Sequence, residues 1–152
     1  MPSEITFFLA PDDETAALTR NSRPGRALRS LTFHGFDPDD AVVEWTRYFE
    51  APGRQFADDE RLSLGNWPRY VADFLNDGVG VFIVPENVLV ALAAAGPDEL
   101  RGLVGHWGEF LVRINDDELT TDEKLAVVEG VAQLAAAAVA SAGQLRLYCW
   151  QF

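Results

Sequence analysis

The feature that most constrains this chain is its ending. In QLRLYCWQF, residues 144–152, Leu145, Leu147 and Cys149 alternate with Arg146, Tyr148, Trp150 and Phe152. Successive side chains of a strand point to opposite faces, so this pattern reads as a terminal strand with bulk on both sides. Tyr148, Trp150 and Phe152 all need somewhere to be buried. The other end makes a similar demand. In EITFFLA, residues 4–10, Ile5, Phe7 and Leu9 share one face while Thr6 and Phe8 take the other. The first and last strands are therefore expected inside one sheet, with cover supplied to both faces.

The segments between them supply that cover. Residues 11–18 read as a short acidic helix and residues 28–33 as a strand candidate. DPDDAVVEWTRYFE, residues 37–50, starts a helix: Asp37 is placed to cap, Pro38 fits the first helical position, and Asp39 and Asp40 favour the positive end of the dipole. Val42, Trp45 and Phe49 then recur at helical spacing. Residues 51–65 look irregular and exposed. NWPRYVADFLNDG, residues 66–78, predicts another short helix, with Asn66 as cap, Trp67, Tyr70, Val71, Phe74 and Leu75 on one face, and Gly78 past its end.

VGVFIV, residues 79–84, is apolar on both faces and suits a central strand. Residues 86–95 read as a buried helix. Over residues 97–114, Leu100, Leu103, Val104, Trp107, Phe110, Leu111 and Ile114 form one stripe. Thr120 and Glu123 have capping-box spacing for a last helix, roughly 121–142, whose part beyond Gly130 is apolar almost all round and so expected to be buried. Gly143 is its stop. With 48% hydrophobic residues in 152, the chain has material for one core. The expected fold is α+β: a single compact domain spanning residues 1–152, with a small mixed or antiparallel sheet packed against several helices.

The net charge is −12, from 24 acids and 12 bases, of which eleven are arginine. Such a surface repels nucleic-acid phosphates and attracts basic proteins, or simply keeps the molecule soluble. No segment reaches a membrane span of about 20 apolar residues, and the first residues lack the basic flank of a signal peptide. The lone Cys149 can form no internal disulfide. A cytoplasmic setting without membrane contact is expected.

Chemistry-bearing motifs are sparse. In SLTFHGFDPDDAVVEW, residues 30–45, His34 precedes Asp37, Asp39 and Asp40, but the calcium-loop pattern is missing. The stretch reads as a strand or turn feeding a helix, with His34 a surface or boundary side chain bonded to Asp37. His106 and Glu109 stand three apart on the 97–114 helix, opposite its apolar stripe, and are expected on a solvated face with Glu99 and Arg113; HWGE does not match the H-E-x-x-H zinc motif. Gly102, Gly105 and Gly108 share that polar side. Each weakens a helix by about 1 kcal/mol relative to alanine, and their spacing would permit the close approach of another backbone or a partner. Cys149 is expected to be a buried, inert thiol. The serines lack a G-x-S-x-G setting, and GVGVF is not a nucleotide loop. No metal and no cofactor is called for.

Two functions from different classes follow. The first is a small acidic protein-interaction or regulatory module without catalysis, binding a basic protein partner through Asp58, Asp59 and Glu60 and through Asp116, Asp117 and Glu118. The second is an enzyme or binding protein for a small anionic molecule, in a pocket near His34. There His34 is the candidate catalytic group, and Arg20, Arg23, Arg26 and Arg29 are the candidate ligand-binding groups. The basic island RNSRPGR is expected at the surface, tethered to nearby carboxylates or to a small anion. Whether the chain is an enzyme, and its oligomeric state, are left open.

Overall fold

The two terminal strands lie side by side. In a computed structural model, which describes residues 3–50, 68–73 and 78–152, β1 (Ile5–Ala10) and β5 (Arg146–Gln151) pair antiparallel from Ile5 opposite Gln151 to Ala10 opposite Arg146. β2 (Ser30–Phe33) joins the other edge of β1, β4 (Gly80–Ile83) joins β5, and β3 (Tyr70–Ala72) joins β4. The sheet order is β2-β1-β5-β4-β3, and every neighbouring pair is antiparallel. β1 is buried along its whole length and β5 from Leu147 to Gln151. The apolar two-sidedness of both ends is thus the signature of interior strands, and the fold is the expected α+β domain with one antiparallel sheet.

Helices α2 (Pro38–Glu50), α3 (Glu86–Ala94), α4 (Pro97–Arg113) and α5 (Thr121–Ala140) build the main core on one face of the sheet. There Phe7 stacks on Trp45 at 6.1 Å, Trp45 meets Trp107 edge-on at 5.5 Å, and Phe36 meets Trp107 at 5.2 Å. The opposite face carries Phe8, Val81, Tyr148 and Trp150, packed with Ala16 of the short α1 (Asp13–Leu18) and with Leu28. Helix starts follow the local chemistry. Asp12 accepts the Thr15 N–H at 2.8 Å ahead of α1, and Thr120 and Glu123 close a full capping box on α5. Gly143, with φ +86°, ends the turn after α5, where an L side chain is disfavoured.

Three expectations need correction. The helix expected over 66–78 is not formed where it is described: Tyr70–Ala72 is an edge strand, and Gly78 (φ +76°) opens the approach to β4 rather than ending a helix. Residues 66–67 and 74–77 lie outside the described residues. The physical reason is that one edge of β4 needs pairing. A segment carrying Tyr70 and Val71 satisfies backbone groups there, whereas a helix this short is marginal on its own. The segment 86–94 is buried on one side only: Val88 and Leu92 are inside, while Val90 is 50% exposed. Likewise α5 beyond Gly130 shows Ala136, Val139 and Ala140 to solvent. Small or β-branched residues tolerate either side of a helix, so their apolarity does not report burial all round.

One of the three glycines of α4 acquires a reason. A Cβ on Gly102 would collide with the Tyr48 hydroxyl, whereas one on Gly108 would make only ordinary contact with the Lys124 side chain. Gly105 faces open space, and nothing in the structure explains either Gly105 or Gly108. In α5, a Cβ on Gly130 would come within 3.0 Å of Leu31 and 3.1 Å of Phe33, so this glycine lets α5 lie close on β2.

Candidate functional site

The densest group of buried charge lies where α2 crosses α4. Glu44 of α2 has no side-chain exposure, Arg47 one turn on has 10%, and His106 of α4 has 12%. Arg47 Nη1 donates to Glu44 Oε1 at 3.3 Å, and His106 Nε2 stands 3.4 Å from Glu44 Oε2. The rings of Tyr48 and His106 lie 5.6 Å apart, over the space opened by Gly102. His106 is therefore drawn inward, against the expectation of a solvated face; Glu109 is exposed as expected. A carboxylate removed from water needs partners, and the closest atoms that answer Glu44 are a cation and an imidazole. The sequence did hold a signal. Three small residues on the polar side of a helix mark the approach of a neighbour, and a histidine four residues after Gly102 shares that side. An acid, a cation and an imidazole together are suited to proton transfer, and here all three are largely buried at the α2–α4 crossing.

A second polar group ties the β3 edge to the start of α2. The Tyr70 hydroxyl donates to Asp39 Oδ2 at 3.0 Å and accepts from Gln151 Nε2 at 2.8 Å. Burial, then the Asp39 carboxylate, pushes Tyr70 well above the ordinary tyrosine range. Asp39 thus does more than complement a helix dipole. Cys149 is completely buried, and that burial raises its thiol well above the usual range, which makes it a poor nucleophile. On the other face, the Tyr148 hydroxyl donates to Asp13 Oδ1 at 2.7 Å, and Arg69 pairs with Asp13 Oδ2 at 2.9 Å. The Tyr148 bond, with help from Arg69, holds the Asp13 carboxyl below its ordinary value.

The candidates read from the sequence fall as follows. His34 is exposed, and its Nδ1 lies 2.8 Å from the Ser3 carbonyl oxygen, so Nδ1 donates there; its partner is Ser3 rather than Asp37. Arg20 donates to Asn21 Oδ1 at 2.7 Å. Arg23 pairs with Glu4 at 3.2 Å and lies 5.4 Å over the Trp150 ring. Both are turned to groups of the chain itself, in keeping with a surface tether. Arg26 and Arg29 are exposed. Asp58, Asp59 and Glu60 lie outside the described residues. Asp116, Asp117 and Glu118 sit in the turn between α4 and α5, where Asp117 pairs at 2.6 Å with Lys124, the one lysine of the chain.

Among the described residues, no group of three or more His, Cys, Asp or Glu is arranged to hold a metal ion, and no helix is long and apolar enough to cross a membrane. One groove of about 470 Å3 runs between α3, α5 and the ends of β4 and β5, lined by Leu89, Val90, Val139 and Leu145 with Glu86 at its rim. It contains neither His34 nor the Glu44 group. No protein-family model, no curated protein and no solved structure matches this chain.

Proposed function

We propose that this protein is a non-catalytic interaction module that binds a basic protein partner through the acidic side of α4, α5 and the turn joining them. The observation that carries the reading is where the charge sits. Residues 86–140 contain ten acids against three bases, so they hold −7 of the net −12, while residues 3–36 are neutral with four of each. Asp116, Glu118, Asp122 and Glu129 have no basic partner among the described residues, and Glu118, Asp122 and Glu129 are exposed. A field of one sign concentrated on one side steers an oppositely charged partner and disfavours like-charged ones. The cytoplasmic setting expected from the sequence belongs to the same proposal.

The experiment compares proteins retained from source-cell extract by the wild-type chain and by Asp116→Asn/Glu118→Gln/Asp122→Asn, at low and moderate salt. The expected result is a basic protein held by wild type at low salt, weakened by salt, and lost by the triple variant at equal folding. Identical retention by both chains overturns the reading. The small-molecule alternative draws no support from the geometry around His34, whose ring is engaged by the Ser3 carbonyl.

A further inference from the structure

We infer that the outer edge of β2 is a docking site for an extended acidic segment of a partner protein, which adds to the sheet as a sixth strand antiparallel to β2. This contact is independent of the acidic helical side and has the opposite charge. The phase of the ladder identifies the open groups. Leu9 N donates to Arg29 O at 3.0 Å, so Leu9 and Arg29 are a hydrogen-bonded pair. Hydrogen-bonded and non-bonded pairs alternate along an antiparallel ladder. With Phe7 opposite Leu31 and Ile5 opposite Phe33, the main-chain groups of Arg29, Leu31 and Phe33 are directed at β1. Those of Ser30 and Thr32 point away from the sheet. The other side of β1 agrees with this phase: Glu4 and Phe152 exchange bonds at 3.1 and 3.0 Å, which assigns the even residues of β1 to β5.

Among the described residues nothing pairs with this edge, and Ser30 and Thr32 are exposed. It is also held straight. Leu31 and Phe33 rest against α5 at Gly130, and the Thr32 hydroxyl meets that of Thr6 at 2.9 Å on the other face. A supported edge presenting two N–H and two C=O groups is a template for strand addition.

Charge selects the occupant. Residues 15–36 contain four arginines and no carboxylate, in a chain of net charge −12. Arg23 is compensated by Glu4, but Arg26 and Arg29 are exposed and have no carboxylate partner among the described residues. Arg29 immediately precedes β2, so an antiparallel segment brings its C-terminal end beside these guanidiniums, where its carboxylates are favoured. A second copy of this chain is disfavoured twice: two molecules of −12 repel, and their arginine-flanked edges repel again.

The test uses the full chain and a six-residue peptide of alternating threonine and valine ending in aspartate and glutamate, with a fluorophore on its N-terminus. Anisotropy is expected to show saturable binding. Amide exchange is expected to slow at Ser30 and Thr32 but not in β3. Arg26→Glu/Arg29→Glu, both exposed positions, should weaken binding by about tenfold at low salt. Thr32→Pro removes an outward N–H that β1 does not use, and should abolish binding with melting little changed. If that variant misfolds, the arginine pair still decides. Unchanged exchange at Ser30 and Thr32 under saturating peptide overturns the inference. So does equal affinity for a peptide ending in two lysines, or protection of this edge by self-association on sizing.

Discussion

Glu44 shows how much a single buried charge depends on its neighbours. It accepts from Arg47 and faces His106, with no exposure of its own. Removing one partner of such a group leaves an uncompensated charge inside, which costs about 3–5 kcal/mol, whereas removing both can be close to neutral. Arg47→Met should therefore destabilise strongly, and Glu44→Gln/Arg47→Met should recover most of the loss. Urea unfolding of the two single variants and the double closes the cycle, and additive effects would show that the pair does not act as a unit. Tyr70 and Tyr148 make a second prediction. Burial comes first among the causes that raise both above their ordinary 10.0, with Asp39 and Asp13 adding to it. A group whose folded pKa is raised keeps its contribution below the unfolded pKa and loses it as pH rises toward the folded one. Stability should thus be steady up to about pH 10 and fall above it, as the unfolded chain ionises tyrosines that the native state keeps protonated. Tyr70→Phe should blunt that fall, read by tyrosinate absorbance together with melting.

At the scale of elements, α4 carries a test of close approach. Gly105 meets nothing within 4 Å, so Gly105→Ala should gain the propensity difference of about 1 kcal/mol. Gly102→Ala adds the same propensity but drives a methyl into the Tyr48 hydroxyl, and Tyr48 is held by ring contacts to Phe49 and His106. Its net effect should be smaller than that of Gly105→Ala, and negative if Tyr48 cannot swing aside. Comparing the two melting temperatures separates helix propensity from packing at the α2–α4 crossing. β5 makes the stronger demand. It bonds β1 on one edge and β4 on the other, and places Leu147 and Cys149 in one core and Tyr148 and Trp150 in the other. Deleting residues 147–152 strips one edge of β1 and one edge of β4 of its partner and removes aromatics whose loss costs about 3–5 kcal/mol each. The shortened chain should show no cooperative melting; a near-normal transition would contradict the central position of β5.

At the scale of the whole molecule, charge is spread unevenly along the chain. Residues 86–140 hold −7 of the net −12, whereas residues 15–36, the arginine island and β2, contain four arginines and no carboxylate. The two proposed contacts answer to opposite signs. Raising salt should weaken both, and variants in the 116–122 region and at Arg26 and Arg29 should affect them separately.

What the amino-acid sequence determined by itself is the set of elements whose cause is local. Ile5, Phe7 and Leu9 alternating with Thr6 and Phe8, the Thr120–Glu123 capping box and the stripe from Leu100 to Phe110 each lie within a few residues, and each forms the element its spacing implies. What only the tertiary structure decided rests on partners far apart in the chain. Tyr70 became part of an edge strand because β4 pairs with it and because its hydroxyl reaches Asp39 and Gln151, 31 and 81 residues away. His106 turned inward because Glu44 approaches from another helix. Neither the count of acids nor their order assigns them to one side of the molecule. The packing of the helices decides only which of them meet water: Glu109, Glu118, Asp122 and Glu129 are exposed, while Glu44 is buried.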